Sequence, residues 1–246
     1  MKTAILITAR LKSTRLKEKA LKSIMGRPML SHMIERLRLA KRPEQIIICT
    51  STVAQDDRLC ELAEGEGVEY FRGDPDDVLH RMLDAANYFQ VDTIVSCTAD
   101  NPFVDPVYID KLVDFHLSEE NDFSMSEGLP FGTFSYALKR GAVEKACKIK
   151  DAVDTEVWGG YFTQTGLFKC GVLSVTDETV RWPELRLTVD TPEDFSLISK
   201  IFEHLYRSGK VFQLEQIVDL LKKSPALIDI NKKIIQKNAS PIKVKI

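Results

Sequence analysis

Short apolar runs alternate with amphipathic stretches along the first half of the chain. Ala4 to Ile7, Ile46 to Thr50 and Thr93 to Cys97 have strand length and are rich in β-branched residues, the pattern of parallel strands buried on both faces. Leu30, Met33, Ile34 and Leu37, then Val78, Leu79, Met82 and Leu83, then Ile109, Leu112, Val113 and His116 recur at helical spacing, so each set forms one helix face. Asp76 and the pair Asp105-Pro106 stand before the second and third stripes. A side-chain oxygen or a proline there suits the unpaired N–H groups of a first turn. The order strand, helix, strand, helix, strand, helix predicts an α/β fold, a doubly wound and mostly parallel sheet with helices on both faces.

After Asn121 the pattern becomes irregular. Gly128-Leu129-Pro130-Phe131-Gly132 reads as a loop, Lys139 to Lys150 as a helix and Asp151 to Gly160 as mixed, so residues 121–171 are expected to form a small excursion from the main sheet. Leu185, Leu187 and Val189 then alternate as on a strand. Thr191-Pro192-Glu193-Asp194 opens a helix bearing Phe195, Ile198, Phe202 and Leu205, and Leu214, Ile217, Val218 and Leu221 mark another. Residues 1–230 are expected to form one domain. Residues 231–246, with Lys232, Lys233, Lys237, Lys243 and Lys245, are expected to be a basic, solvated tail.

With 44% hydrophobic residues in 246 and no low-complexity tract, the chain can bury a sizeable core. Its 34 basic and 36 acidic residues leave a net charge of −2, so no global field draws it to nucleic acid or an anionic membrane, and any polyanion must be held by a local cluster. Five cysteines without C-x-x-C spacing fit a reduced, cytoplasmic protein, and the apolar start is too short for a signal peptide or membrane span.

Such a local cluster follows the first strand: Arg10, Lys12, Arg15, Lys17 and Lys19 place five cations within ten residues. Open α/β sheets bind ligands at the carboxyl ends of their strands, and a loop of cations, hydroxyls and N–H groups there suits a polyphosphate as well as it suits bulk water. It contains neither a Walker loop nor a dinucleotide fingerprint. Asp100 ends the third apolar run and Asp190 the late one, each two residues before a proline. Each alone suits a turn or helix cap. Brought together, the two carboxylates would suit Mg²⁺, which takes one or two carboxylates, substrate phosphates and waters.

Four blocks carry a resemblance to a known family: Ala9-Arg10-x-x-Ser13-Thr14-Arg15-Leu16-x-x-Lys19, Arg72-Gly73-Asp74-Pro75-Asp76-Asp77-Val78-Leu79, Thr98-Ala99-Asp100-Asn101-Pro102 and Arg186-Leu187-Thr188-Val189-Asp190-Thr191-Pro192-Glu193-Asp194. In that order the chain resembles the cytidylyltransferases that make CMP-activated sugar acids, and most closely the branch of the spore coat polysaccharide biosynthesis protein SpsF. The resemblance implies a Rossmann-like nucleotide-diphospho-sugar transferase fold and transfer of CMP from CTP to an acidic sugar, with pyrophosphate released, for surface glycan synthesis. It implies a nucleotide site with Arg10, Ser13, Arg15 and Lys19 at the triphosphate, Ala9 at the pyrimidine, Arg72 and Asp77 near base and ribose, and Thr98 as a further nucleotide-binding residue. It makes Arg10, Lys19, Asp100 and Asp190 the catalytic set, with Mg²⁺ on the two aspartates, and it implies a homodimer with the 121–171 excursion as a contact.

Glu127, Phe131, Glu156 and Trp158 are acceptor-site candidates, since loop aromatics and polar groups suit a sugar. Packing suits Phe131 and Trp158 equally. Relatives usually carry Pro-Gly before the loop lysine, where this chain has Lys17-Glu18, so its loop lacks glycine. Two further readings stay open: another nucleotide or a phosphonate or polyol phosphate acceptor, and a non-catalytic nucleotide-binding subunit.

Overall fold

The first apolar run forms β1 (Thr3–Thr8) in a computed structural model that describes residues 1–13, 15–236 and 242–245. Ala4 and Leu6 enter one hydrophobic cluster and Ile5 and Ile7 another, so this strand is buried on both faces. A short hairpin, β2 (Ser23–Ile24) and β3 (Arg27–Pro28), leads into α1 (Met29–Leu37). β4 (Gln45–Ser51), α2 (Asp57–Glu66), β5 (Glu69–Gly73), α3 (Val78–Tyr88), β6 (Thr93–Thr98) and α4 (Pro106–Ser118) follow. β1 pairs in parallel with β4 and β6, and β4 with β5, as the alternation predicts. Asp105 caps α4, accepting the Tyr108 N–H at 3.0 Å. The α3 cap is Asp77 rather than Asp76: its Oδ1 accepts the His80 N–H at 3.1 Å.

The chain continues through β7 (Phe123–Glu127), β8 (Tyr136–Lys139), α5 (Arg140–Ile149), α6 (Gly160–Thr163) and β9 (Cys170–Ser174). α7 (Pro192–Leu205), α8 (Leu214–Lys223) and α9 (Pro225–Ile228) complete it. Among the described residues, seven strands form one sheet in the order β5-β4-β1-β6-β8-β7-β9, with β8 antiparallel to both neighbours. Residues 121–171 therefore do not leave the main sheet but extend it. At four residues, β8 is too short for a period to show in sequence. α1, α2 and α4 cover the Ile5/Ile7 face, and α3, α5 and α6 the opposite one.

Leu185, Leu187 and Val189 bury their side chains against α7 and α8, which explains their alternation, yet the segment joins no ladder. Its backbone is stitched to two turns: Phe131 N–H donates to Leu185 at 2.8 Å, Leu187 N–H to Phe131 at 2.7 Å, and Val189 N–H to Asp100 at 2.8 Å. Gly132 permits the approach. It sits at φ +96°, and a Cβ there would stand 2.6 Å from the Thr188 nitrogen.

The solvated tail is corrected in part. Asn231 is buried, Ile242 packs on the Ala4/Leu6 cluster beneath α3 and α5, and Lys243 and Lys245 pair with the end of α5 through Asp151 N–H and Ile149 C=O, both at 2.8 Å. Lys232 and Lys233 are exposed, and Lys237 lies outside the described residues. No described helix is long and apolar enough to cross a membrane, and all five cysteines are unpaired.

Candidate active site

β1 and β6 are neighbours in register, Thr8 opposite Thr98, so the loops that follow them leave the same sheet edge side by side. The β6 loop turns at Asp100, whose carbonyl accepts the Val189 N–H at 2.8 Å and the Thr188 hydroxyl at 3.5 Å. That stitching brings Asp190 next to Asp100 across 90 residues of sequence. α7 then begins at once, with Thr191 and Asp194 forming a reciprocal capping box behind Pro192.

Both carboxylates converge on one cation, the Lys19 ammonium, at 2.8 Å from Asp100 Oδ2 and 3.0 Å from Asp190 Oδ1. Arg15 reaches the same Asp190 oxygen at 3.0 Å, and Arg186 holds the other, Oδ2, at 3.0 Å. Thr98 donates to Asp100 Oδ1 at 2.5 Å and accepts from the Asn101 amide at 2.9 Å. Burial alone would pull the Lys19 ammonium down, but the charges of Asp100 and Asp190 outweigh it and raise its pKa. Burial would raise Asp190, but Lys19, then Arg15 and Arg186, hold it below the usual carboxylate range.

The donor chemistry fits Mg²⁺. Two carboxylates that meet at one monovalent cation can meet at a hard divalent one, with phosphates and waters supplying the remaining oxygens. Among the described residues no group of three or more His, Cys, Asp or Glu forms a closed metal cage.

The cationic loop divides its charges. Arg15 and Lys19 turn to the aspartates, whereas Arg10 contacts the Pro75 carbonyl and Asp76 Oδ1 (3.2 Å), with Lys12 3.9 Å from the same oxygen. Buried Asp56 accepts the Leu11 N–H at 2.8 Å, Ser13 N–H closes a turn on Leu11 at 2.9 Å, and Ala9 N–H is bonded to Cys49 at 3.1 Å. Thr14 lies outside the described residues. The missing glycine has a structural answer: Glu18 itself adopts the left-handed conformation (φ 51°, ψ 35°), at a cost of about 1 kcal/mol. Its carboxylate meets Arg58 of α2 at 2.7 Å. The turn survives without the glycine.

Other candidates lie elsewhere or are engaged in the scaffold. Arg72 spends its guanidinium on the Ser51 and Val53 carbonyls (3.1 and 3.2 Å) and on Asp57 (2.7 Å), tying β5 to the start of α2. Asp77 is 7% exposed: besides capping α3 it takes the Thr155 hydroxyl at 2.9 Å and pairs with Lys150. Trp158 is a core residue, 6% exposed, packed among Phe123, Tyr136 and Phe162. Glu127 is exposed at the end of β7, and Glu156 is exposed in a turn whose N–H is held by Asp154 at 3.0 Å. Phe131, half-buried, does reach the site: the Arg186 guanidinium carbon stands 5.8 Å from its ring centre.

The sequence pattern assigns no site role to Arg186, Asp194 or Asn231, and marks Asp76 only as a helix start, whereas its carboxylate meets Arg10 at 3.2 Å. The first two were visible, since Arg186, Asp190 and Asp194 stand four apart in the last block. Asn231 carries no local signal, because its partners lie 37 and 45 residues away.

A family model described as cytidylyltransferase matches residues 4–220. An uncharacterized protein of Methanocaldococcus jannaschii is 33% identical over 240 residues, covering 97% of this chain and 98% of that one. The spore coat polysaccharide biosynthesis protein SpsF of Bacillus subtilis is 26% identical over 227 residues, 89% and 94% of the two chains. An 8-amino-3,8-dideoxy-manno-octulosonate cytidylyltransferase of Shewanella is 26% identical over 171 residues, 67% and 66% of the two. Among solved structures, a cytidylyltransferase from Leptospira borgpetersenii superposes with a TM-score of 0.85 at 27% identity, covering 97% of this chain and 100% of that one. The fold is the nucleotide-diphospho-sugar transferase fold expected from the sequence.

Proposed function

Because the chain belongs to the cytidylyltransferase family, a family of nucleotidyltransferases, we propose that it transfers CMP from CTP to an acidic sugar and releases pyrophosphate. The observation that carries this reading is the convergence of Asp100, Asp190, Lys19 and Arg15 at the sheet edge. Two relatives support the acceptor class, one named for an octulosonate, which is a sugar acid, and one for polysaccharide biosynthesis.

An acceptor hydroxyl oxygen forms a bond to the α-phosphorus of CTP and gives up its proton to solvent, while the bond from that phosphorus to the bridging oxygen breaks and pyrophosphate departs with the electron pair. Positioning and neutralisation of charge dominate such a step. Lys19 and Arg15 exchange their carboxylate partners for phosphate oxygens, and Arg10 and Ser13 flank the same loop. Asp100 and Asp190, released from the ammonium, would hold Mg²⁺, which when bound neutralises phosphate charge and polarises the acceptor oxygen. Arg186 keeps Asp190 oriented throughout. Phe131 and Glu127, from the loop beside Arg186 and from the end of β7, are the acceptor-side residues of this reading, and homodimerisation through the 121–171 region belongs to it.

Pyrophosphate release across the four nucleoside triphosphates, with octulosonates and other sugar acids in Mg²⁺ buffer, tests it. CTP with a sugar acid should give release that Asp100→Ala and Asp190→Ala abolish in folded protein. Release with another nucleotide or only with a phosphonate would change the substrates, and CTP binding without release would leave a non-catalytic binding subunit. A monomeric mass by light scattering would remove the dimer.

A further inference from the structure

Arg186 is more tightly held than a helix cap requires. Its Nε and Nη2 both donate to Asp194, at 2.9 Å to Oδ1 and 2.9 Å to Oδ2, and Nη1 donates to Gln236 at 2.5 Å. Nη2 also reaches Asp190 Oδ2 at 3.0 Å. A planar guanidinium with all three nitrogens engaged on separate acceptors has one orientation left to it.

Asp194, in turn, is fully buried and accepts more than its capping role needs. Oδ2 receives the Asp190 and Thr191 N–H groups at 3.0 and 3.1 Å, and Oδ1 receives the Asn231 side-chain amide at 2.9 Å. Asn231, 3% exposed, gives its amide also to the Arg186 carbonyl at 3.2 Å. The segment after α9 is thereby fastened to the residue that touches Asp190.

We propose that Arg186, clamped by Asp194 and Asn231, is a positioning residue that ties down Asp190 Oδ2 so that Oδ1 alone is presented to Lys19, Arg15 and the divalent cation. The inference rests on the proposed function for its reaction but not for its geometry. The two oxygens of Asp190 have different partners: Oδ2 faces an immobile guanidinium, and Oδ1 faces two side chains of the phosphate loop. Groups behind a metal ligand that fix its orientation commonly change metal affinity or activity about 10–100-fold when removed.

The test uses full-length protein and two variants, Arg186→Lys, which keeps the charge but loses the fork, and Asn231→Ala, which loosens the clamp and leaves Arg186 in place. Mn²⁺ affinity of nucleotide-free protein is read by electron paramagnetic resonance, kcat and KM for CTP by pyrophosphate release, and folding by urea titration. Arg186→Lys should lower Mn²⁺ affinity and kcat about 10–100-fold with KM for CTP within about threefold of wild type, and Asn231→Ala should move the same two quantities about 3–10-fold. A merely structural role would lower the urea midpoint while leaving Mn²⁺ affinity and kcat per folded molecule at wild-type values, and that result overturns the proposal. If Arg186→Lys does not fold, Asn231→Ala carries the decision. Wild-type protein that fails to turn over CTP, alongside variants that lose Mn²⁺, would remove the reaction and keep the positioning role. Intact turnover with unchanged Mn²⁺ affinity would do the reverse.

Discussion

Lys19→Met should convert the nucleotide-free site into a much stronger divalent-cation site while weakening its hold on CTP. Around Asp100 and Asp190 the structure gathers three cations, Lys19, Arg15 and Arg186, against three carboxylates, counting Asp194. Methionine keeps an unbranched apolar stem one atom shorter and removes one positive charge from the point where both carboxylates converge. Two unit charges 4 Å apart interact by about 1 kcal/mol in bulk water and about 4 kcal/mol at an effective dielectric of 20. A divalent ion doubles the term, so even the water limit gives about 2 kcal/mol, or about 25-fold in affinity. The side chains involved are only 18%, 25% and 10% exposed for Lys19, Asp100 and Asp190, which makes this a lower bound. Titrating Mn²⁺ into nucleotide-free wild-type and variant proteins, and reading free ion by electron paramagnetic resonance, measures the difference. CTP affinity should fall at least about tenfold in the same variant, since a charge-assisted contact worth about 1.5–3 kcal/mol is lost. Folded Lys19→Met protein with unaltered or weaker Mn²⁺ binding would refute the view that the ammonium stands where the cation belongs.

Asp77→Ala removes the α3 cap and strands the Lys150 ammonium, so urea unfolding should show a loss of about 3 kcal/mol; a rise in KM for CTP without that loss would return Asp77 to the nucleotide site. Trp158→Ala should cost about 3–5 kcal/mol from the aromatic core, and Trp158→Phe should leave KM for the acceptor unchanged; a shifted acceptor KM in the phenylalanine variant would contradict the packing role. His116, 3.0 Å from the Ser124 hydroxyl, is pushed down to about 4 by burial, so between about 6.5 and 4 the unfolded chain binds a proton that the native one does not. Its contribution is complete above about pH 6.5 and is lost as pH falls to about 4, on the order of 3 kcal/mol, and His116→Gln should flatten urea stability across that window.

Much of this molecule can be read from its periodicities because its central strands are buried on both faces. Ala4 to Ile7 and Thr93 to Cys97 have no polar alternation to confuse the reading, and the stripes of α1, α3 and α4 face them. Legibility ends where local pattern and tertiary partner separate. Leu185 to Val189 alternates like a strand because α7 and α8 bury one side of it, yet its hydrogen bonds go to Phe131 and Asp100. Trp158 and Asp77 have the residue types of a binding site and are consumed by packing and capping. The site aspartates were visible as strand-end carboxylates. Their use of Lys19 as a shared counter-ion was not, because that depends on a side chain of the β1 loop crossing to two turns. Asn231 shows the limit most clearly: a single amide in a basic tail becomes a buried tie to Arg186 and Asp194 only through the return of the chain.

A crystal structure of the protein with CTP and Mn²⁺, with the metal located by its anomalous scattering, tests the central claim most directly. The account predicts the manganese peak bonded to oxygens of both Asp100 and Asp190, with Lys19 and Arg15 moved onto the phosphates and Arg186 still on Asp190 Oδ2. A metal bound away from those two carboxylates, or Lys19 still between them while CTP occupies another part of the sheet edge, would contradict it.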